Sequence, residues 1–211
     1  YDLVFTTREI FQLKENKKWM MDNVVAVDYP CVNLRMSNFK GSKVKKDKEI
    51  RCVYAGQLND QIRDATKVLE ILSSVNIPNI SFYFIGEGQA NLLQSYCNGL
   101  LKDRLHILGR VPESECEHWI SSADFLLIIG NNVSNQIPSK VFSYMSYGIP
   151  IIATCKSKEC PTRRYLQMIP NALIIDEFDD VRENVRKIEE HILNYMGSRL
   201  SLEQINSYAS M

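Results

Sequence analysis

Hydrophobic positions along the chain fall into two patterns that take turns. Short runs rich in β-branched and aromatic residues recur at 49–56 (E-I-R-C-V-Y-A-G), 80–86 (I-S-F-Y-F-I-G), 104–109 (R-L-H-I-L-G), 123–130 (A-D-F-L-L-I-I-G), 149–154 (I-P-I-I-A-T) and 172–176 (A-L-I-I-D). Between them, apolar residues repeat at helical spacing, as Ala65, Val68, Leu69, Leu72 and Val75 do within 63–75. A polar helix is expected around 88–98, another from Pro112 with acids in its first turn, a short one over 138–147 and a long charged one over about 179–197. The run at 123–130 is apolar throughout, as a strand buried on both faces of a parallel sheet must be. Strand and helix alternate along the whole stretch, which predicts an α/β fold: a doubly wound, Rossmann-like parallel sheet with helices on both faces.

The first residues add one more unit of the same kind: D-L-V-F, a helix near 7–21, then N-V-V-A-V. Residues 37–48 (S-N-F-K-G-S-K-V-K-K-D-K) offer little to bury and read as an exposed connector rather than an anion-binding tail. The chain is therefore divided into a remnant of, or link to, an N-terminal domain (1–36), a polar connector (37–48), a compact domain (49–200) and a tail or helix (201–211). It starts in strand-like sequence without a methionine, and is expected to be a piece of something longer.

Charge narrows the partners. Lys+Arg and Asp+Glu number 25 each, so the net charge is zero. A nonspecific nucleic-acid binder needs a basic surplus, and none is expected here. The six cysteines form no C-x-x-C pair; the closest two stand in C-K-S-K-E-C at 155–160 with no histidine near them. Reduced thiols in a cytoplasmic protein are the expectation, with no metal site. No apolar stretch approaches the ~20 residues of a membrane-spanning helix, and no signal peptide opens the chain.

In open parallel sheets ligands bind beyond the carboxyl ends of the strands. Four of the predicted strands end in glycine there (Gly56, Gly86, Gly109, Gly130) and are followed by Gln57, Glu87, Arg110 and Asn131, a rim suited to a polar ligand. G-E-G-Q at 86–89 lacks the third glycine of a dinucleotide fingerprint, and there is no phosphate loop of the G-x-x-x-x-G-K-[ST] kind. His106, His118 and His191 fall in strand or helix settings where packing or exposure is the default. The most informative stretch is N-Q-I-P-S-K-V-F-S-Y-M-S-Y-G-I-P-I-I at 135–152. Pro138 suits the first helical position, Asn135 or Ser134 the cap, and Gly148 the end. Lys140 then stands in the first turn, where the helix dipole disfavours a cation by about 0.3–1 kcal/mol. A phosphate on the free N–H groups of that turn would give the lysine a reason to be there. The alternative is a lysine whose long stem carries its charge away into water.

Taken together, Y-A-G-Q-L (54–58), I-R-D-A-T-K-V-L-E-I-L (62–72), I-G-E-G (85–88), H-I-L-G-R-V (106–111), A-D-F-L-L-I-I-G-N (123–131) and P-S-K-V-F-S-Y-M-S-Y-G-I-P-I-I (138–152) resemble, in order and spacing, the nucleotide-sugar-binding half of a group 1 GT-B glycosyltransferase of the kind that builds bacterial polysaccharides. The resemblance covers roughly residues 50–200. It implies that Gly56 lets the backbone approach the donor diphosphate and that Arg110 and Val111 flank the base. Lys140, in an S-K-x-F form of the helix, becomes a cation for the diphosphate, with Pro138 and Ser139 beside it. Relatives carry two glutamates on this helix; counted back from Gly148 and Pro150, their positions fall on Asn135 and Ser143. Asn135 is then the residue facing the donor sugar and Ser143 the one near the ribose. In the basic loop of relatives Gln57 replaces an arginine and Ile62 a lysine, with Arg63 one step on, while Asn131 closes the rim.

The resemblance implies metal-independent transfer of a sugar from a UDP- or GDP-type donor, a substrate rather than a cofactor, to a glycan or lipid-linked acceptor bound by the missing N-terminal domain. This fragment alone would bind nucleotide without turning over. It further implies a cytoplasmic protein, with the inner face of the membrane as a second location through peripheral association of the full protein. Absence of both glutamates fits a second reading, a non-catalytic glycosyltransferase-like subunit that stabilises an active partner. A dinucleotide-dependent oxidoreductase fails for want of its fingerprint.

Overall fold

A computed structural model describes residues 4–7, 24–27, 49–133 and 136–209. β1 (Val4–Thr7) and β2 (Val24–Val27) pair in parallel as a two-stranded sheet, as a β-α-β unit requires. The helix expected near 7–21 and the connector at 37–48 lie outside the described residues. From residue 50 the elements alternate: β3 (Ile50–Ala55), α1 (Thr66–Ser74), β4 (Ile80–Ile85), α2 (Ala90–Cys97), β5 (Leu105–Gly109), α3 (Glu113–Ser122), β6 (Phe125–Ile128), α4 (Lys140–Met145), β7 (Ile151–Cys155), α5 (Thr162–Leu166), β8 (Ala172–Asp176), α6 (Val181–Tyr195) and α7 (Leu202–Ala209).

The six strands from β3 onward form one all-parallel sheet in the order β5-β4-β3-β6-β7-β8. This is the doubly wound arrangement predicted from the alternation. The chain winds outward from β3 to β5, returns to the centre at β6 and winds outward the other way. The direction reverses between β3 and β6, so the loops leaving these two strands diverge and open a crevice at their carboxyl ends.

Side-chain alternation along each strand feeds two cores. Ile50, Cys52 and Tyr54 of β3 join α1, Leu93 of α2 and Ile188 and Ile192 of α6 on one face. Val53 and Ala55 join Ile120 of α3, Tyr144 of α4, Leu166 of α5 and Ile205 of α7 on the other. β4, apolar but for Ser81, and β6, apolar throughout, are buried along their whole length. Asp180 caps α6, its carboxylate accepting from the Arg182 and Glu183 amides at 2.9 and 3.2 Å.

Two helix starts differ from expectation. Pro112 precedes α3 as its cap, because its ψ of 152° is extended rather than helical. Pro138 likewise lies before α4, which begins at Lys140 with Ser139 at the cap. The first bond there runs from the Val141 amide to the Pro138 carbonyl at 3.0 Å, a three-residue turn that tightens the entry and leaves only six residues of α-helix.

One contact ties α4 to the crevice. β3 and β6 pair only at Cys52–Phe125 and Val53–Leu126, so the ladder stops short of Ala55. The Ala55 amide donates instead to the Tyr144 hydroxyl at 3.0 Å, and Tyr144 is wholly buried. Burial pushes that phenol's pKa far above its usual value, which keeps it neutral. Tyr144→Phe removes the acceptor and strands a buried N–H, so chemical denaturation should read a loss of about 1–3 kcal/mol.

Candidate functional site

The rim at the carboxyl ends of β3, β4 and β5 is zipped by backbone bonds. The Gly56 amide donates to the Ile85 carbonyl at 2.9 Å, Gly86 to Gly109 at 2.8 Å and Leu58 to Glu87 at 2.8 Å. Close approach and handedness both demand glycine at two of these points. Gly86 has φ +124° and a Cβ there would lie 2.2 Å from the Gly56 carbonyl oxygen; Gly88 has φ +103° and would meet the Leu58 carbonyl oxygen at 1.8 Å.

At the crevice itself, Arg63 and Asn131 meet. Arg63 follows β3 and Asn131 follows β6, the two strands at which the winding reverses. The Arg63 Nε and Nη2 donate to Asn131 Oδ1 at 3.0 and 2.8 Å, and Nη1 reaches the Gln57 carbonyl at 3.5 Å. Asn131 is buried and its Nδ2 donates onward to the Gln136 carbonyl at 3.3 Å, just before α4. Asn132 reinforces the junction, its amide donating to the Ile62 carbonyl at 2.6 Å and its side chain to Asp60 and Gln61. The guanidinium lies over Gly56, where a Cβ would stand 3.4 Å from Nη1 and 2.9 Å from the Tyr54 hydroxyl. That hydroxyl donates to the Gln57 carbonyl at 3.1 Å; burial raises its pKa and Arg63 offsets part of the rise.

The structure thus brings Gly56, Gln57, Arg63 and Asn131 into one cluster. Gln57 contributes its carbonyl, while its side chain is exposed. Arg110 is exposed on the rim after β5, and Val111 packs half-buried against the second core. Pro138 is buried, Ser139 exposed, and Lys140 half-buried at the start of α4. The Lys140 charge acts on the Cys116 thiol of α3, opposing the rise that burial causes there. The Ser143 hydroxyl donates to the Lys140 carbonyl at 3.2 Å, occupied within its own helix. Asn135 lies outside the described residues. With six residues, α4 supplies a weaker dipole than a helix starting at Pro138 would, and Lys140 itself carries more of any anion binding.

A buried polar network beneath the crevice leaves no mark in the sequence. Thr154, at the end of β7, accepts from the Gly130 amide at 3.1 Å and donates to the Glu177 carboxylate at 2.6 Å. Lys156 pairs with Glu177 at 3.2 Å and donates to the Asp64 carbonyl at 2.7 Å. Four loops, after β3, β6, β7 and β8, are joined in this way. Burial raises the Glu177 pKa, with Thr154 and Lys156 pulling the other way. Asp64, two residues before α1, accepts from the Thr66 amide at 3.1 Å and from Gln89 Nε2 at 2.6 Å. Burial alone would raise the Asp64 pKa, but the bonds from Gln89 and Thr66 and the Lys156 charge hold it below its usual value. An open depression of about 510 Å³ beside these residues is lined by Asp60, Asp64, Gln89 and Asn91. Its two carboxylates repel an anion. Among the described residues no three His, Cys, Asp or Glu side chains stand together as metal ligands, and no helix is long and apolar enough to cross a membrane.

The family model for glycosyl transferases group 1 matches residues 49–194. No curated protein sequence matches the chain. Among solved structures, a lipopolysaccharide outer core galactosyltransferase, WaaB in its apo form, is 18% identical with a TM-score of 0.68, over 99% of this chain and 57% of its own. Anabaena Alr3699/HepE in complex with UDP-glucose is 12% identical with a TM-score of 0.68, over 99% and 62%. The pneumococcal O-GlcNAc transferase GtfA in complex with UDP and GlcNAc is 14% identical with a TM-score of 0.65, over 99% and 40%. At these identities the likeness is one of fold, and this chain spans about three-fifths or less of each of these proteins.

Proposed function

Because this chain belongs to the group 1 glycosyl transferases, we propose that its crevice is the donor half of such an enzyme, binding the diphosphate of a UDP- or GDP-sugar. The observation that carries this reading is the Arg63–Asn131 junction at the point where the winding reverses. Asn131 occupies one side of the guanidinium fork and fixes its direction, while the cation keeps its charge for a ligand beyond Gly56. Lys140, the first residue of α4, would be the second cation. The two would stabilise negative charge gathering on the leaving diphosphate, without a metal ion, by electrostatic preorganisation. Arg110 and Val111 would flank the base, Asn135 would face the sugar, Pro138 and Ser139 would lie beside the diphosphate, and the Ser143 oxygen, its proton given to the Lys140 carbonyl, would accept from a ribose hydroxyl. HepE in complex with UDP-glucose and GtfA in complex with UDP, similar in fold, support a donor of this class. A glycan or lipid-linked acceptor would bind across the crevice on the N-terminal half, with the full protein in the cytoplasm or at the inner face of the membrane.

Titration calorimetry with UDP, GDP and their sugars tests this. Wild type should bind one of the series, and Lys140→Ala should weaken it about 10-fold, the loss of one charge-assisted contact. Affinity unchanged by Lys140→Ala and Arg63→Ala alike would remove the diphosphate from this rim. One observation favours a second reading, a non-catalytic subunit that stabilises an active partner. Ser143, where relatives place a carboxylate, has turned its hydroxyl back to Lys140. A folded sample that binds no nucleotide would favour that reading.

A further inference from the structure

The buried network beneath the crevice is attached at the two residues that flank the Arg63–Asn131 junction. Gly130 precedes Asn131, and its amide donates to the Thr154 hydroxyl at 3.1 Å. Asp64 follows Arg63, and its carbonyl accepts from the Lys156 ammonium at 2.7 Å. Both strings end on one carboxylate: Thr154 donates to Glu177 Oε1 at 2.6 Å, and Lys156 pairs with Oε2 at 3.2 Å. Thr154 has one hydroxyl proton. Giving it to Glu177 leaves a lone pair for the Gly130 amide, which fixes the direction of that string. Glu177 is itself tied to β7, its amide donating to the Cys155 carbonyl at 2.9 Å. The loop after β6 can settle this close only at glycine, since a Cβ on Gly130 would stand 2.5 Å from the Thr154 carbonyl oxygen. Thr154 and Glu177 are both buried, so water is a poor substitute for either partner.

We propose that Glu177 is a positioning residue for the crevice: through Thr154 and Lys156 it holds Asn131 and Arg63 at the separation their hydrogen bonds need. The sheet cannot do this. β3 and β6 pair no further than Val53–Leu126, so the loops carrying the two residues leave a ladder that has already ended. The Arg63 fork meets Asn131 Oδ1 at 3.0 and 2.8 Å only while both loops keep their places. Asn132 braces the same loops further out, through its amide bond to the Ile62 carbonyl at 2.6 Å. Glu177 braces them from beneath, and as a carboxylate it serves both strings at once, one oxygen to each. The consequence for donor binding rests on the diphosphate reading given above. A guanidinium released from Asn131 samples many rotamers, and a phosphate must then order it on binding, which weakens the affinity.

The test has two arms, both read on folded chains. In isotope-labelled protein the Arg63 Nε–H, identified by its loss in Arg63→Lys, should give an NMR signal that Asn131 protects from solvent exchange. Thr154→Val keeps the shape but removes the hydroxyl, and the protected signal should be lost. Glu177→Gln and Lys156→Met, each of which cuts the other string, should lose it too, while Thr154→Ser should keep it. Ile192→Val, a change at a buried position on α6, should lower stability and leave the signal in place. The second arm is calorimetric titration with UDP and GDP. Thr154→Val should weaken binding about 5-fold in the wild-type background, and less than about 2-fold where Arg63 is already alanine, because it acts through that residue. A protected signal that survives Thr154→Val or Glu177→Gln would overturn the proposal. So would a signal lost equally in Ile192→Val, or equal losses of affinity in the two backgrounds. If no chain binds nucleotide, the diphosphate reading falls by itself, and the Arg63 signal still decides whether Glu177 holds the junction.

Discussion

Replacing Glu177 by alanine should cost the fold about 3 kcal/mol, more than any single change at the rim. Glu177 is 8% exposed and accepts from Thr154 at 2.6 Å while pairing with Lys156 at 3.2 Å. Without it the Lys156 ammonium, with a side chain only 16% exposed, loses its paired carboxylate and keeps the Asp64 carbonyl and the Asp64 charge nearby. An uncompensated buried charge is what makes breaking such a pair expensive, whereas replacing both partners is far milder. Urea denaturation should therefore show Glu177→Ala with Lys156→Met recovering a large part of the loss seen in Glu177→Ala alone. Equal stability of the single and double variants would show that the lysine finds water and that the pair contributes little. Glu177→Gln separates charge from shape: it keeps an acceptor for Thr154 and should fall between.

The second large effect is one of pH. His191 is 7% exposed on α6, edge-on to Phe125 with ring centres 5.9 Å apart and leaning on Tyr195 at 4.8 Å. Burial pushes its pKa down to about 4, with a backbone hydrogen bond to Ile151 opposing. The unfolded chain takes up a proton at this histidine near pH 6.5, and the folded chain refuses it until about pH 4. Stability should therefore be full above about pH 6.5 and fall as pH drops to about 4, by about 3 kcal/mol at 1.36 kcal/mol for each pKa unit. Depressed carboxylates such as Asp64 act lower, as pH falls below their ordinary range. His191→Phe keeps the ring packing and removes the titration, so its denaturation midpoint should be flat from pH 7 to about 4.5 where wild type slopes. A slope unchanged by the substitution would assign the acid sensitivity elsewhere.

Much of the fold could be read from the sequence because the central strands are buried on both faces, which leaves little freedom in their composition. A-D-F-L-L-I-I-G has no polar position inside the strand, and β6 falls within it. Helix starts were less legible, since prolines at 112 and 138 satisfy a first turn and a cap position about equally, and local ψ decides. Arg63 and Asn131 could each be picked out, one as a cation near a glycine and the other as a turn former, yet 68 residues separate them. Only the return of the chain from β5 to β6 makes them neighbours. The Thr154–Glu177–Lys156 network left still less trace: a threonine ending a strand and a glutamate after an aspartate are ordinary in any sequence. Paired residues on different crossovers carry no local period, so nothing along the chain marks them.

The Ala55 amide has a consequence of its own. An N–H at the end of a strand usually reports the breathing of its sheet, because a neighbouring strand is what shields it from solvent deuterium. Here the shield is the Tyr144 hydroxyl on α4. Deuterium uptake at this one amide is thus a clock for the docking of the helix that carries Lys140, readable while the β-ladder beside it stays shut.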